Sequence, residues 1–469
     1  MLIGYSQLRF FHLCLPCLTF ARYGFKEACG VVGWVSFRWS LVMPLKQSCL
    51  WEELTPERPK AGALTGDLKV DVCVIGAGFT GLSTALHLLE QGKRVAIVEA
   101  HETGHGGSGR NVGLVNAGMW IAPDDVEAGL GQEVGSKLVA EMGNAPSLVF
   151  SLIDRYEIDC QAKRHGTLHM AHNGSGTADL QSRCAQWVRR GAPVEMITGA
   201  ACHAATGTKR IDAALLDRRA GTLNPMAYVS GLAKAVVGLG GLLYHHSPVS
   251  RLERQGADWL VATPQGVVTA EKVVLASNAY TEGEWTELRR NFFPGSYYQV
   301  ASVPLSGAVA GAILPGGEGS WDTRQVLSSI RRDADGRLLL GSLGSAANKP
   351  LWAVRAWADR IQQFYFPQLG KVEWQSTWTG TIAFTPDHLM RLFEPAPGLV
   401  AVTGYNGRGV TTGTAVGRAF ANYLLSGSRD VLPMPFQPMD GISAPGLRSG
   451  LYELGFSLYH AGQCLRVVI

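Results

Sequence analysis

Asp71-Val-Cys-Val-Ile-Gly-Ala-Gly-Phe-Thr-Gly81 is the stretch that sets the fold of this chain. Val70, Val72, Val74 and Ile75 make a short apolar run, which predicts a strand buried within a parallel sheet. Gly76, Gly78 and Gly81 follow with GxGxxG spacing, and Thr80 falls inside the same turn. The first glycine allows the tight turn and the second lets backbone approach a pyrophosphate. The third lets the next helix pack close on the strand. Leu82, Ala85, Leu86 and Leu89 recur at i, i+3, i+4 and i+7, one apolar face of a helix whose amino terminus would aim free N–H groups at phosphates. Gly92 ends that helix, and Arg94-Val-Ala-Ile-Val-Glu99 predicts a second strand. Glu99 then stands where an acid can accept hydrogen bonds from an adenosine ribose. Strand, turn, helix, strand and acid in register predict a dinucleotide site on an α/β, Rossmann-like domain.

Gly104-His-Gly-Gly-Ser-Gly109 also matches GxGxxG, but no strand of its own precedes it. It predicts a loop pressed against a ligand, with Ser108, Gly109, Arg110 and Asn111 on the ligand side.

Composition bounds the rest. The chain has 469 residues, 46% hydrophobic and 17% charged, which excludes a disordered chain and predicts two domains or one with a large insertion. The formal charge of +4 is too small for a nucleic-acid groove. Most of it falls in residues 1–42, where Arg9, Arg22, Lys26 and Arg38 face Glu27 alone. A nearly neutral body fits a small-molecule partner. Residues 1–42 are apolar and aromatic, yet His12, Pro16, Arg22 and Lys26 interrupt any membrane span. They are expected to be an extension outside the fold, with Met43 as the natural start. Nine scattered cysteines, Cys14-Leu-Pro-Cys17 among them, make neither a disulfide framework nor a zinc set, so no metal is expected and a cytoplasmic setting is.

Past Leu50 the chain resembles the D-amino-acid-oxidase-like flavoenzymes, the group holding glycine oxidase, sarcosine oxidase and γ-glutamylputrescine oxidase. The motifs are the turn above, Gly107-Ser-Gly-Arg-Asn-Val-Gly113, Gly221-Thr-Leu-Asn-Pro225, Trp378-Thr-Gly-Thr-Ile-Ala-Phe-Thr-Pro-Asp387 and Gly404-Tyr-Asn-Gly-Arg-Gly-Val-Thr-Thr412. The resemblance implies FAD, with Val249 where relatives contact adenine through backbone. It implies too that Gly407, Gly409, Val410 and Thr411 open a helix whose amino terminus faces the flavin pyrimidine. Asn111 occupies the place where some relatives attach FAD through a His, so the cofactor is expected to be noncovalent. The family's interleaving implies an FAD-binding domain from 66–120, 210–285 and 378–430. A sheet-based substrate domain would come from 121–209 and 286–377, with 431–469 as a tail.

The resemblance also implies oxidation of a C–N bond, with hydride passing to the flavin and an imine left for water to hydrolyse. Within the group the chain resembles the γ-glutamylputrescine oxidase and bacterial L-pipecolate oxidase branches. L-pipecolate going to 1-piperideine-6-carboxylate in lysine catabolism is therefore the expected reaction, with oxygen or an electron carrier taking the electrons. Arg331, in Ile330-Arg-Arg-Asp-Ala-Asp-Gly-Arg337, is expected to hold the substrate carboxylate, since a guanidinium fork suits it. Tyr298, rather than Tyr297, is expected in the pocket. His169, His245 and His246 are expected to have structural or surface roles. The rivals are a polyamine-derivative oxidase, a membrane-associated flavoprotein feeding a quinone, and a nonenzymatic flavin-binding module.

Overall fold

The computed structural model describes residues 45–283, 285–346 and 349–464. The expected extension at 1–42 and the Cys14–Cys17 pair lie outside them. The apolar run at 70–75 forms the strand Leu68–Ile75 at the centre of an eight-stranded sheet. Val95–Val98 and then Leu242–Tyr244 lie parallel on one side of it, and Gly266–Leu275 lies parallel on the other. The far edge of Gly266–Leu275 pairs with Asp258–Thr263 in its first half and with Leu399–Thr403 in its second. Arg251–Gln255 and Arg391–Ala396 finish the two outer hairpins.

Both faces of this sheet are buried, which explains why its strands read as unbroken apolar runs. Val74, Ile97, Val274 and Val400 turn to one core, while their neighbours Cys73, Ala96, Val273 and Leu399 turn to another. Burying each such Val or Leu side chain contributes about 2 kcal/mol. The helices Phe79–Leu89, Pro225–Gly238 and Gly409–Ser426 cover the first face. Two of them nearly touch: a Cβ on Gly417 would stand 2.6 Å from both Ser83 Cβ and the Thr80 carbonyl oxygen. Ser83 Oγ donates to the Thr414 carbonyl at 2.7 Å across the same crossing. That close approach carries the start of the Gly409–Ser426 helix to the dinucleotide turn.

A second, nine-stranded sheet runs Lys46–Gln47, Trp374–Phe384, Phe293–Ser302, Leu338–Leu343, Ser328–Arg332, Gly319–Asp322, Thr167–Met170, Ala213–Asp217, Val194–Thr198. One of its faces packs on the helix Leu351–Tyr365 through Tyr298, Val300, Ile330, Leu340 and Trp357. Two expected domain boundaries shift. Ala213–Asp217, placed by sequence in the FAD-binding segment from 210, pairs instead with Thr167–Met170 and Val194–Thr198. Trp374–Phe384, split by the expected boundary at 378, belongs entirely to the second sheet, where it pairs with Phe293–Ser302. Both sheets sit in one unit spanning Met43–Ile469. The tail forms a helix, Pro445–Cys464, strapped to the second sheet: Glu453 Oε1 accepts from Ser296 N–H at 2.6 Å, and His460 Nε2 lies 2.9 Å from the Leu343 carbonyl. Cys49, Cys73, Cys160, Cys184 and Cys202 are free and buried. Among the described residues, no helix is long and apolar enough to cross a membrane, and no group of three or more His, Cys, Asp or Glu could hold a metal.

Candidate active site

The turn after the Leu68–Ile75 strand is built from contacts that exclude side chains. Gly76 has φ +108°, and a Cβ on Gly81 would stand 2.0 Å from the Gly76 carbonyl oxygen. A Cβ on Gly78 would meet Ser108 Oγ at 2.8 Å, and that hydroxyl accepts from Phe79 N–H at 3.0 Å. Glu99 closes the turn from the next strand. One of its oxygens accepts from Ala77 N–H at 2.8 Å and the other from His101 N–H at 3.0 Å. The carboxylate is thereby fixed in place beside the turn.

A cavity of about 540 Å³ lies between the two sheets. Gly76, Gly78, Thr80, Glu99, Ser108, Asn111 and Val249 line it on the dinucleotide side, and Gly407, Gly409 and Val410 line it at the start of the last long helix. Four other expected contacts stand behind the wall. Gly81 packs turn on helix, and Gly109 N–H donates to Gly104 O at 3.0 Å. The Arg110 carbonyl accepts from Trp378 Nε1 at 2.8 Å, and Thr411 Oγ1 donates to Asn116 O at 2.9 Å. The Asn111 amide is fully engaged with its own loop: it donates to Gly107 O at 2.9 Å and Ser108 O at 3.0 Å, and accepts from Gly113 N–H at 2.8 Å.

The floor comes from the second sheet. Gln299, Gly341, Ser329, Trp321 and His169 stand opposite one another in successive strands and so share one face. Gly341 is bare by necessity, because a Cβ there would lie 2.3 Å from Gln299 Nε2 and 2.4 Å from Ser329 Oγ. Tyr297, two residues before Gln299, lies over Gly380, where a Cβ would meet its hydroxyl at 2.3 Å. Burial raises the Tyr297 phenol well above its usual pKa, so it stays protonated near neutrality and can donate a hydrogen bond but not act as a base. The Tyr297 hydroxyl, Gln299 Oε1 and Asn116 Oδ1 line or border the cavity, buried and, among the described residues, without a protein partner. Buried polar atoms are seldom left so.

Two expected substrate contacts are placed elsewhere. Tyr298 points to the opposite face of its strand, 2% exposed, with its ring 4.8 Å from Trp357 and 5.8 Å from His460. The position expected of it is held by Tyr297. Arg331 does not reach the cavity. Its Nη1 donates to Leu223 O at 2.7 Å and Val112 O at 2.8 Å, with Trp51 beneath it, so its work is to join loop to sheet. His169 is half-buried and stacked on Trp321 at 4.7 Å, and His245 Nε2 lies 3.0 Å from Thr103 Oγ1. The cavity's cation is Arg408, which sits inside a motif legible in the sequence but among glycines that draw attention to the cofactor. Gln299, Ser329 and Trp321 carry no sequence signal of their own.

The residues fit FAD. A carboxylate fixed for a ribose, glycines held bare beside the turn, and a helix amino terminus at Gly409 match an adenosine, a pyrophosphate and an electron-rich ring edge. Comparison with known proteins agrees. Residues 71–423 match the family described as FAD dependent oxidoreductase, DAO. The chain is 29% identical over 425 residues to a probable oxidoreductase OrdL of Rhizobium meliloti, covering 89% of this chain and 97% of that one. It is 31% identical over 364 residues to the γ-glutamylputrescine oxidoreductase of Escherichia coli, covering 77% and 85%. Among solved structures, the fold is shared with L-proline dehydrogenase from P. horikoshii (TM-score 0.64, 18% identity, 78% of this chain and 96% of that chain). It is shared also with glycine oxidase from Geobacillus kaustophilus (TM-score 0.62, 21% identity, 76% and 95%).

Proposed function

From the premise that the chain belongs to the DAO family of FAD-dependent oxidoreductases, we propose that it oxidises the C–N bond of a secondary amino acid to an imine, with L-pipecolate and 1-piperideine-6-carboxylate as substrate and product. FAD, when bound, supplies the two-electron acceptor; the protein supplies binding, orientation and electrostatics. The observation that carries this reading is the cavity itself, dinucleotide turn on one side and a polar, aromatic sheet face on the other. Glu99 and the Gly76–Gly78 backbone would hold the adenosine and pyrophosphate, and Ser108 and Val410 would border the rest of the cofactor.

The floor residues Tyr297, Gln299, Trp321 and Ser329 that line the cavity bear no carboxylate or imidazole, and His169 on the same face is stacked on Trp321 outside the lining. An amine would therefore enter neutral, with its proton already lost to solvent, and would be oriented by hydrogen bonds to the Tyr297 hydroxyl and the Gln299 amide oxygen. The aromatic walls Trp120 and Trp321 suit the apolar side of a small ring. Oxygen or an electron carrier would reoxidise the cofactor.

A second reading has its own support. The relative from Escherichia coli is named for γ-glutamylputrescine, a longer substrate that also bears a carboxylate. One experiment separates the two: anaerobic mixing of the purified protein with a panel of amino acids and amines while the visible flavin band is followed. L-pipecolate or another secondary amino acid should bleach the band. Bleaching by γ-glutamylputrescine, with every secondary amino acid inert, would replace the first reading with the second.

A further inference from the structure

The outward face of the tail helix Pro445–Cys464 carries no charge. Gly446, Gly450, Ser457 and Ala461 recur at i, i+4, i+11 and i+15 and form one exposed strip along it. Leu447, Leu451, Leu454 and Leu458 recur at i, i+4, i+7 and i+11 and form a second strip beside the first, each leucine between 56% and 65% exposed. The charged and imidazole groups of the helix are engaged elsewhere: Glu453 and His460 on the second sheet, and Arg448 on its own chain, its Nε donating to Ser443 O at 2.9 Å. Glycine is the poorest helix former after proline, so a helix keeps it where something must come close. Gly417 has such a reason in Ser83, but at Gly446, Gly450 and Gly455 a Cβ would meet nothing within 4 Å. Within one chain these leucines have no cover and these glycines no use. Leucines and small residues together expose on the order of 600 Å², the upper end of the apolar patch a monomer leaves open and most of the roughly 800 Å² per partner that a specific interface buries.

We propose that this face binds the same face of a second copy of the chain, making a twofold homodimer. A twofold axis running along the helix sets each leucine strip against the small-residue strip of the other copy, ridge into groove, and brings Leu454 close to its own counterpart. A face that is complementary to itself in this way needs no other partner. A lipid surface is the poorer match, because helices that lie on membranes border their apolar face with Lys and Arg, and this helix has one Arg and no Lys. The pairing would also stand behind the cavity wall. On the inner side of the helix, Tyr452 lies 6.0 Å from Phe384 and His460 Nε2 lies 2.9 Å from the Leu343 carbonyl, and both Phe384 and Leu343 line the cavity. The inference is independent of which amine the protein oxidises.

The test is analytical ultracentrifugation of the full-length, FAD-loaded protein across micromolar concentrations. Wild type should sediment with twice the mass of one chain. Leu454→Glu and Leu454→Lys should each weaken the dimer roughly 100-fold while keeping flavin and fold, because the side chain they replace faces outward. An equimolar mixture of the two variants should dimerise again, since opposite charges then meet across the axis. Gly450→Leu fills the small-residue strip without adding charge, and should weaken the dimer roughly tenfold although Leu is the better helix former. A wild type that stays monomeric at every concentration overturns the proposal, and so does a dimer indifferent to these substitutions, which must use another face. Two monomeric Leu454 variants whose mixture stays monomeric also overturn it, because the face then does not meet itself. If a Leu454 variant loses its flavin, Gly450→Leu decides. A monomer that cosediments with vesicles of phosphatidylcholine and phosphatidylglycerol replaces the second copy with a lipid surface.

Discussion

Arg331 Nη1 stands 2.7 Å from the carbonyl oxygen of Leu223. The same nitrogen reaches Val112 O at 2.8 Å and Gly113 O at 3.3 Å, so one atom ties the Ser328–Arg332 strand to the loop behind the cavity. The Trp51 ring lies 5.2 Å from the guanidinium carbon, and burial draws the group down to about 10, still charged at neutral pH. Gly113 leaves the space: it has φ +78°, and a Cβ there would stand 2.3 Å from Nη1 and 2.1 Å from Leu223 O.

Arg331→Met should therefore cost about 3 kcal/mol of stability, because buried carbonyls lose their donor. Arg331→Lys should recover less than half, since an ammonium does not stack on Trp51 as a guanidinium does. Denaturant midpoints measure both. Turnover per bound flavin should stay within about twofold of wild type, and a stable but inactive variant would return Arg331 to the substrate.

The paired tyrosines should behave oppositely. Tyr297→Phe removes a buried hydroxyl that has no protein partner among the described residues, so the thermal midpoint should hold or rise while kcat/KM falls roughly tenfold. Tyr298→Ala should cost about 3 kcal/mol through the cavity left beside Trp357, with flavin content retained. Tyr297→Phe with unaltered kinetics would exclude its hydroxyl from the reaction.

Because the Asn111 amide spends its donors and acceptor on Gly107, Ser108 and Gly113, FAD should be held without a covalent bond. Acid precipitation should leave the yellow colour in the supernatant. A yellow pellet would contradict this and direct attention to His105, which also lines the cavity.

Acid should destabilise the protein earlier than its carboxylates require. His169 is held neutral by burial and by Arg183 and Arg408, whereas the unfolded chain takes up a proton near pH 6.5. The stability linked to this group is present above that pH and is lost as pH falls below it. At pH 5.5 the loss is on the order of 1 kcal/mol. His169→Phe should remove that share of the slope when denaturant midpoints are compared between pH 7.5 and 5.5; identical slopes in both proteins would refute it.

The dinucleotide half was legible because its constraints are local. A bare Gly76–Gly81 turn, an apolar strand and a terminal acid occur within thirty residues, and each has one physical use. The substrate half was not, because the second sheet is buried on both faces and its polar–apolar alternation is lost. Tyr297 and Tyr298 are equally apolar, and what assigns them to faces is the bare Gly380 opposite one and Trp357 against the other. Arg331 and Arg408 are likewise alike in sequence. One meets three carbonyls contributed by segments more than a hundred residues away, and the other lines the cavity, over the Trp321 ring and with the Ala117 carbonyl 3.3 Å from its Nη1. Ala213–Asp217 was misassigned for the same reason, since strand order is set by partners far along the chain.

Gly341 gives the chamber floor a seam. Side chains from two different strands, Gln299 and Ser329, abut over bare backbone there, and the ladder hydrogen bonds beneath depend on neither of them. Trimming either residue deepens the chamber from above without loosening the sheet, while a single methyl at 341 pushes both apart. The framework and the mould it holds can thus drift independently: one is pinned by atoms that must nearly touch, the other by atoms that merely happen to.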